Sequence, residues 1–213
     1  MRLSLIAMSG SGKSYWADQL AGIGFRRFSC DEMIASKLSG ELIRPDGSVM
    51  PLGRWMGLPY QPNYLEREAQ YLANEKQVLG EIFEIIKNDY ADPQSNIVID
   101  TTGSVIYTGE EILNKLRQYT TVVYLATPLQ IQDQRYRAYL ARPRPVLWQG
   151  KFNKKSHEKN KDALARCYPD LLAYRERLYK RYAHITIDYD GYRKAGLNVT
   201  DFLSEINMKK IKN

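Results

Sequence analysis

Short apolar runs alternate with amphipathic stretches along this chain, and each run closes on a Gly, Ser, Thr or Asp. Residues 2–8 form the first run, bounded by a Gly/Ser loop, and predict a buried strand. Residues 13–21 follow as a helix that ends at Gly22 and Gly24. Residues 25–30 predict a second strand, and 31–38 a helix with an acidic first turn closed by Gly40. Residues 96–100, 121–126 and 185–188 predict three further strands. Helical spacing covers 63–87, 110–118, 129–140 and 200–206, with Leu65, Ala69, Leu72, Leu79, Phe83 and Ile86 as the apolar face of 63–87. A helical pattern also leads up to Tyr182 and is interrupted at Pro169, a residue suited to the first turn of a new helix. Strands alternating with helices predict an α/β fold, a parallel sheet flanked by helices. Residues 41–62 break the pattern with Pro45, Pro51, Pro59 and Pro62. An irregular excursion of that length points to ligand contact. The basic tail, 208–213, is expected to fray.

Composition narrows the class. With 44% apolar and 26% charged residues in 213, disorder and coiled coil are excluded for the chain as a whole, and one domain over 1–213 is expected. Cys30 and Cys167 allow at most one disulfide, with no metal-ligand spacing around them, which favours a reducing compartment. The apolar start is too short for a signal peptide or membrane span, so the expectation is a cytoplasmic protein. The net charge of +7 is concentrated. Residues 135–181 hold 14 Lys/Arg against 4 Asp/Glu, and the remainder 17 against 20. Such a field suits an anionic ligand, and it also fits a solvated helix face. His157 and His184 have no partners by spacing.

Residues 7–14 read Ala-Met-Ser-Gly-Ser-Gly-Lys-Ser, one position from G-x-x-x-x-G-K-[ST], with Ala7 at the first Gly. The run leaves a strand and opens a helix, the context a phosphate loop needs. Gly10, Ser11 and Gly12 let successive N–H groups turn inward onto phosphate oxygens. Lys13, expected to be exposed to ligand, reaches the β- and γ-phosphates, and the Ser14 hydroxyl is a Mg²⁺ ligand. Asp31 and Asp100 end strands on the side where ligands gather in open parallel sheets. Asp31 suits a base for a substrate hydroxyl or a helix N-terminal carboxylate. Asp100 closes Ile97-Val98-Ile99 and suits Mg²⁺ through water or a bond to turn amides. Arg135, Arg137, Arg142 and Arg144 lie on a segment, about 135–155, suited to close over a nucleotide as a lid; the alternative is a solvated arginine face.

These residues resemble the shikimate kinase family of small P-loop kinases. The likeness runs through the phosphate loop, Asp31-Glu32-Met33-Ile34 with Gly40, Glu75-Lys76-Gln77-Val78-Leu79, Arg144-Pro145-Val146-Leu147, and Arg177-Leu178-Tyr179 with Ala183. The resemblance implies a five-stranded parallel sheet, ATP with Mg²⁺, a mobile lid, and an acceptor region within about 41–87. It assigns Asp31 to the acceptor hydroxyl, Arg144 to an anion and Gly103 to the acceptor pocket. Departures accompany it. Ser29 stands for an Asp associated with magnesium, Leu72 for a carboxylate-binding Arg, and Thr102-Gly103-Ser104 for three glycines. Arg54 and Arg67 are the candidates to replace the missing Arg.

The expected function is therefore transfer of the γ-phosphoryl of ATP to a hydroxyl of a small, anionic acceptor through an altered pocket. Two other readings stand beside it. Asp31 with Ile99-Asp100-Thr101-Thr102 also resembles polynucleotide and zeta-toxin-type kinases, whose acceptor is a nucleic acid or nucleotide sugar. A nucleotide-binding regulator without turnover is the third.

Overall fold

A computed structural model describes residues 1–88, 95–128, 131–141 and 146–212, without the side chains of Gln132, Asp133, Arg135 and Lys212. Five strands, β1 (Arg2–Ile6), β2 (Arg26–Ser29), β3 (Ile97–Asp100), β4 (Thr121–Leu125) and β5 (Ile185–Ile187), form one sheet in the order β2-β3-β1-β4-β5. Every pairing is parallel. Both faces are covered, so β1, β3 and β4 are almost continuously buried, as their unbroken apolar runs require. Register sets Leu5, Asp100 and Ser29 side by side at the carboxyl ends of β1, β3 and β2. The site stands on that edge.

The helices are α1 (Lys13–Ala21), α2 (Cys30–Lys37), α3 (Ser39–Leu42), α4 (Leu52–Met56), α5 (Tyr64–Asn88), α6 (Glu110–Tyr119), α7 (Gln132–Ala141), α8 (Asn160–Tyr182), α9 (Tyr189–Arg193) and α10 (Val199–Lys212). Three expectations are corrected. Pro169 lies inside α8 rather than opening a new helix. A proline there costs about 3 kcal/mol in helix propensity, but Leu164, Cys167, Tyr168, Leu171 and Leu172 are buried on either side of it, and their packing carries the helix through. The tail expected to fray continues α10 to Lys212, anchored upstream by the fully buried Phe202 and Ile206.

The third correction concerns the inward face of α5. Leu65 is 70% exposed and Ala69 is exposed, whereas Tyr64, Glu68, Tyr71 and Glu75 are buried. The first half of α5 turns a polar face inward, so a search for apolar spacing misreads its register. The excursion at 41–62 also has structure of its own. It holds α4 and a turn closed by an antiparallel bridge between Ile43 and Val49. Both cysteines are free and buried, so the disulfide does not form. Among the described residues no helix is long and apolar enough to cross a membrane.

Candidate active site

The phosphate loop turns between β1 and α1. Gly10 and Gly12 take φ of 80° and 100°, left-handed values that only glycine adopts without strain. Ser11 donates its N–H and its hydroxyl to Met8 O, at 3.2 and 2.8 Å, which holds the turn shut. Lys13 is buried rather than exposed. Its ammonium donates to Ala7 O at 3.0 Å and Met8 O at 3.2 Å, so the loop's own carbonyls hold the charge at the cradle. A cavity of about 190 Å³ opens here, lined by Gly12, Lys13, Ser14, Asp31, Gly103 and Arg193 among others. Phosphate loop, Asp31 and Gly103 thus share one space.

The Ser14 hydroxyl lies close enough to the Asp100 carboxylate to favour its charged form. Burial raises the Asp100 pKa, and Lys13 and Ser14 pull against that rise. Arg27 reaches the same carboxylate at 3.4 Å while also pairing with Asp18 and Glu32, both at 3.2 Å. Among the described residues no group of three or more His, Cys, Asp or Glu is placed to hold a metal. One alcohol and one carboxylate nevertheless fit Mg²⁺, which usually takes one or two protein oxygens and completes its shell with phosphates and water. Ser29 caps α2 by accepting from Glu32 N at 3.4 Å.

Asp31 sits in the first turn of α2. Its Oδ1 accepts a 2.8 Å bond from the Tyr71 hydroxyl, and Tyr71 is buried in α5. One turn further on, Glu75 is fully buried and accepts from Thr102 Oγ1 and from Ser104 Oγ, the latter at 2.7 Å. Burial pushes the Glu75 pKa up to about 7 against the downward pull of those two hydroxyls. The cage fixes the turn around Gly103. A Cβ there would lie 3.2 Å from Ser9 N, so glycine is what lets this turn lie against the phosphate loop.

Leu72 is half-buried and packs on the core. Arg67 stacks over Trp55, 5.9 Å from its ring centre, and Arg54 is exposed on α4. Neither lines the cavity that holds Asp31. Arg137 is exposed on α7 and lines none of the described cavities. Arg142, Arg144 and the Arg135 side chain lie outside the described residues. The basic stretch is not one free surface: Arg166 pairs with Glu158, Lys180 with Glu176 and Arg181 with Glu110.

Two arginines enter that sequence reasoning missed. Arg175 in α8 is 3% exposed and donates to Tyr107 Oη at 3.2 Å, Gly103 O at 3.4 Å and Leu147 O at 2.6 Å. Gly103 O also accepts from Tyr179. A signal was present: Arg175 interrupts the apolar stripe of Tyr168, Leu171, Leu172, Tyr179 and Tyr182, and a cation in such a stripe is a buried charge. Arg193, at the end of α9, reaches Gly10 O at 3.4 Å and had no such signal. Beside it a second cavity, of about 520 Å³, runs from Ser9 and Gly10 along α7 to Tyr139, Tyr168 and Tyr189. Its size and largely apolar and aromatic walls suit a small ligand.

Comparison with known proteins agrees with this geometry. The shikimate kinase family model matches residues 63–207, well over half of the chain, although the phosphate loop lies before the matched part. No curated protein matches the sequence. Among solved structures, the shikimate kinase from Acinetobacter baumannii in complex with shikimate is 24% identical, covering 99% of this chain and 92% of its own, with a TM-score of 0.61. The shikimate kinase from Bacteroides thetaiotaomicron is 17% identical over 98% and 97%, with the same score. Dephospho-CoA kinase from Campylobacter jejuni is 13% identical over 100% and 98%, at 0.56. Identities this low speak to the fold, a parallel sheet flanked by helices as in the small P-loop kinases. With the family model matched over most of α5 to α10 and the phosphate loop formed in front of it, the chain belongs to the shikimate kinase family and is an ATP-dependent kinase with a hydroxyl acceptor.

Proposed function

We propose that this protein moves the γ-phosphoryl group of ATP to one hydroxyl of a small anionic acceptor held by a pocket altered from that for shikimate. The observation that carries the reading is the shared cavity. Asp31 lines the same space as Gly12, Lys13 and Ser14. An acceptor hydroxyl placed there gives its proton to Asp31 as its oxygen forms the new bond to the γ-phosphorus. The bond from that phosphorus to the bridging oxygen breaks, and ADP leaves. Tyr71 occupies Oδ1 of Asp31 and leaves Oδ2 for the incoming hydroxyl. Lys13 counters the charge on the phosphates. Ser14, and Asp100 through water, are the residues that would hold Mg²⁺, which when bound neutralises charge between the β- and γ-phosphates.

The altered pocket rests on Leu72. It packs on the core at the position of the family's carboxylate-binding Arg, with Tyr71 and the caged Glu75 as neighbours on the inward face of α5. Arg175 lines none of the described cavities and gives its donors to Tyr107 Oη, Gly103 O and Leu147 O, so it fixes the turn at Gly103 rather than taking that Arg's place. The reading takes 1–213 as one kinase domain with an acceptor region at about 41–87 and a lid at about 135–155. Two free buried thiols suit a reducing cytoplasm.

ADP release measured against a panel of hydroxy acids and polyols tests the proposal. Acceptor-dependent release should fall at least about 100-fold in Lys13→Ala, the scale of losing one preorganised charge-stabilising group, and to a similar degree in Asp31→Asn. Release that no acceptor stimulates, or that survives both substitutions, would contradict it.

A further inference from the structure

Arg193 stands where the two cavities meet. It lines the narrow one over Lys13 and Ser14 and also the broad one beside Tyr139 and Tyr189. Its guanidinium lies against the phosphate loop, with Nη2 3.4 Å from Gly10 O. A Cβ added at Gly12 would come within 3.0 Å of the same nitrogen. Gly12 therefore has two reasons to be glycine, its φ of 100° and the cation resting on it. Arg193 makes no ion pair among the described residues. A 3.4 Å contact to one carbonyl leaves most of the five N–H donors of a guanidinium uncommitted.

The segment that carries Arg193 is pinned to the nucleotide side of the fold. Trp16 of α1 donates its indole N–H to Tyr192 O at 3.1 Å. The buried Tyr192 donates its hydroxyl to Ala126 O at 2.9 Å, just past β4. Thr127 joins Tyr192 Oη at 3.4 Å to Ser11 Oγ at 3.3 Å, which ties α9 to the phosphate loop itself. The guanidinium thus rides on rigid elements adjacent to the loop. That is the arrangement a preorganised charge contact needs.

We infer that Arg193 is a nucleotide-binding residue that holds the α- and β-phosphates of the bound nucleotide from the α9 side, opposite the Lys13 ammonium. The inference rests on the proposed function, and its placement follows from the cavities. With the base in the broad cavity and the γ-phosphate at Lys13 and Asp31, the α- and β-phosphates cross the junction where Arg193 sits. A fork of N–H donors matches two phosphate oxygens there, and a lysine replaces only its charge.

Calorimetric titration of ATP, ADP and adenosine into the wild type, Arg193→Met, Arg193→Lys and Lys13→Ala separates the claims. In Arg193→Met, ATP and ADP should both weaken by about 10- to 100-fold, the loss of a charge-assisted bond, while adenosine binds as before. Arg193→Lys should fall between. Unchanged ADP affinity overturns the inference, whether ATP weakens alone or not at all. So does an equal loss for adenosine, which would mean that the base cavity itself had changed. Failure of the wild type to bind ATP, or Lys13→Ala binding ATP as well as the wild type, would instead overturn the function on which the inference rests.

Discussion

Glu75 is the carboxylate whose environment costs most. It is fully buried, and the two hydroxyls bonded to it do not restore the water it has lost. Its pKa stands at about 7 against 4.5 for an ordinary glutamate, so the folded state binds its proton more tightly than the unfolded state does. The associated stability is fully present below pH 4.5 and is lost as pH rises through 7. The gap corresponds to roughly 3 kcal/mol. Glu75→Gln carries no such penalty. Its melting temperature should match the wild type near pH 5 and exceed it at pH 8.5, and parallel curves across that range would refute the linkage. Little of this was legible in the sequence. Glu75 was visible only as part of a family-like string, because a glutamate's burial depends on which turn of α5 faces Thr102 and Ser104. The phosphate loop was legible because its chemistry is local, although Lys13, expected exposed, is buried against the loop's carbonyls. Arg193 was not, since its role comes from a chain crossing more than 180 residues away.

Among the elements, α5 does most to connect the parts of the site. Near its start Glu68 is buried and accepts the Tyr64 hydroxyl at 2.7 Å, the Gln149 N–H at 3.0 Å and the Trp148 N–H. Gln149 takes a φ of 48°, which turns two successive N–H groups onto one carboxylate oxygen. This bond set ties the segment after residue 146 to the start of α5, and Phe152 against Tyr60 at 6.3 Å ties it to the excursion at 41–62. Glu68→Ala leaves buried donors without an acceptor and should lower stability by about 1–3 kcal/mol. Amide exchange at Trp148 and Gln149 should rise before that of β1 or β3. Uniform exchange across all of these would show that no local latch exists. The spacing on α5 was read as apolar because its first half buries tyrosines and glutamates. Periodicity scored on hydrophobicity slides to Leu65 and Ala69, which face water. On α8 the error ran the other way: Pro169 is a local signal to break, and tertiary packing overrides it.

For the whole molecule, the parallel sheet and its carboxyl edge follow from short apolar runs ending in Ser29, Asp100 and the phosphate loop, whereas the order β2-β3-β1-β4-β5 is seen only in the structure. What sequence left open is the acceptor, because the residues around Asp31 converge from α2, α5 and the turn at Gly103, far apart in the chain. The structure packs Leu72 on the core and sets neither Arg54 nor Arg67 in the cavity with Asp31. Leu72→Arg should therefore raise turnover of shikimate by about tenfold or more, restoring part of the roughly 2–5 kcal/mol that a missing buried charge partner costs. An intact phosphoryl-transfer site serving a changed acceptor pocket should turn shikimate over poorly. The most direct test is kcat/KM of the wild type with ATP and shikimate. The expected value is well below about 10⁴ M⁻¹s⁻¹, the lower end of the ordinary enzyme range. A value at or above it would show that another cation fully replaces the missing partner, and would contradict the altered pocket.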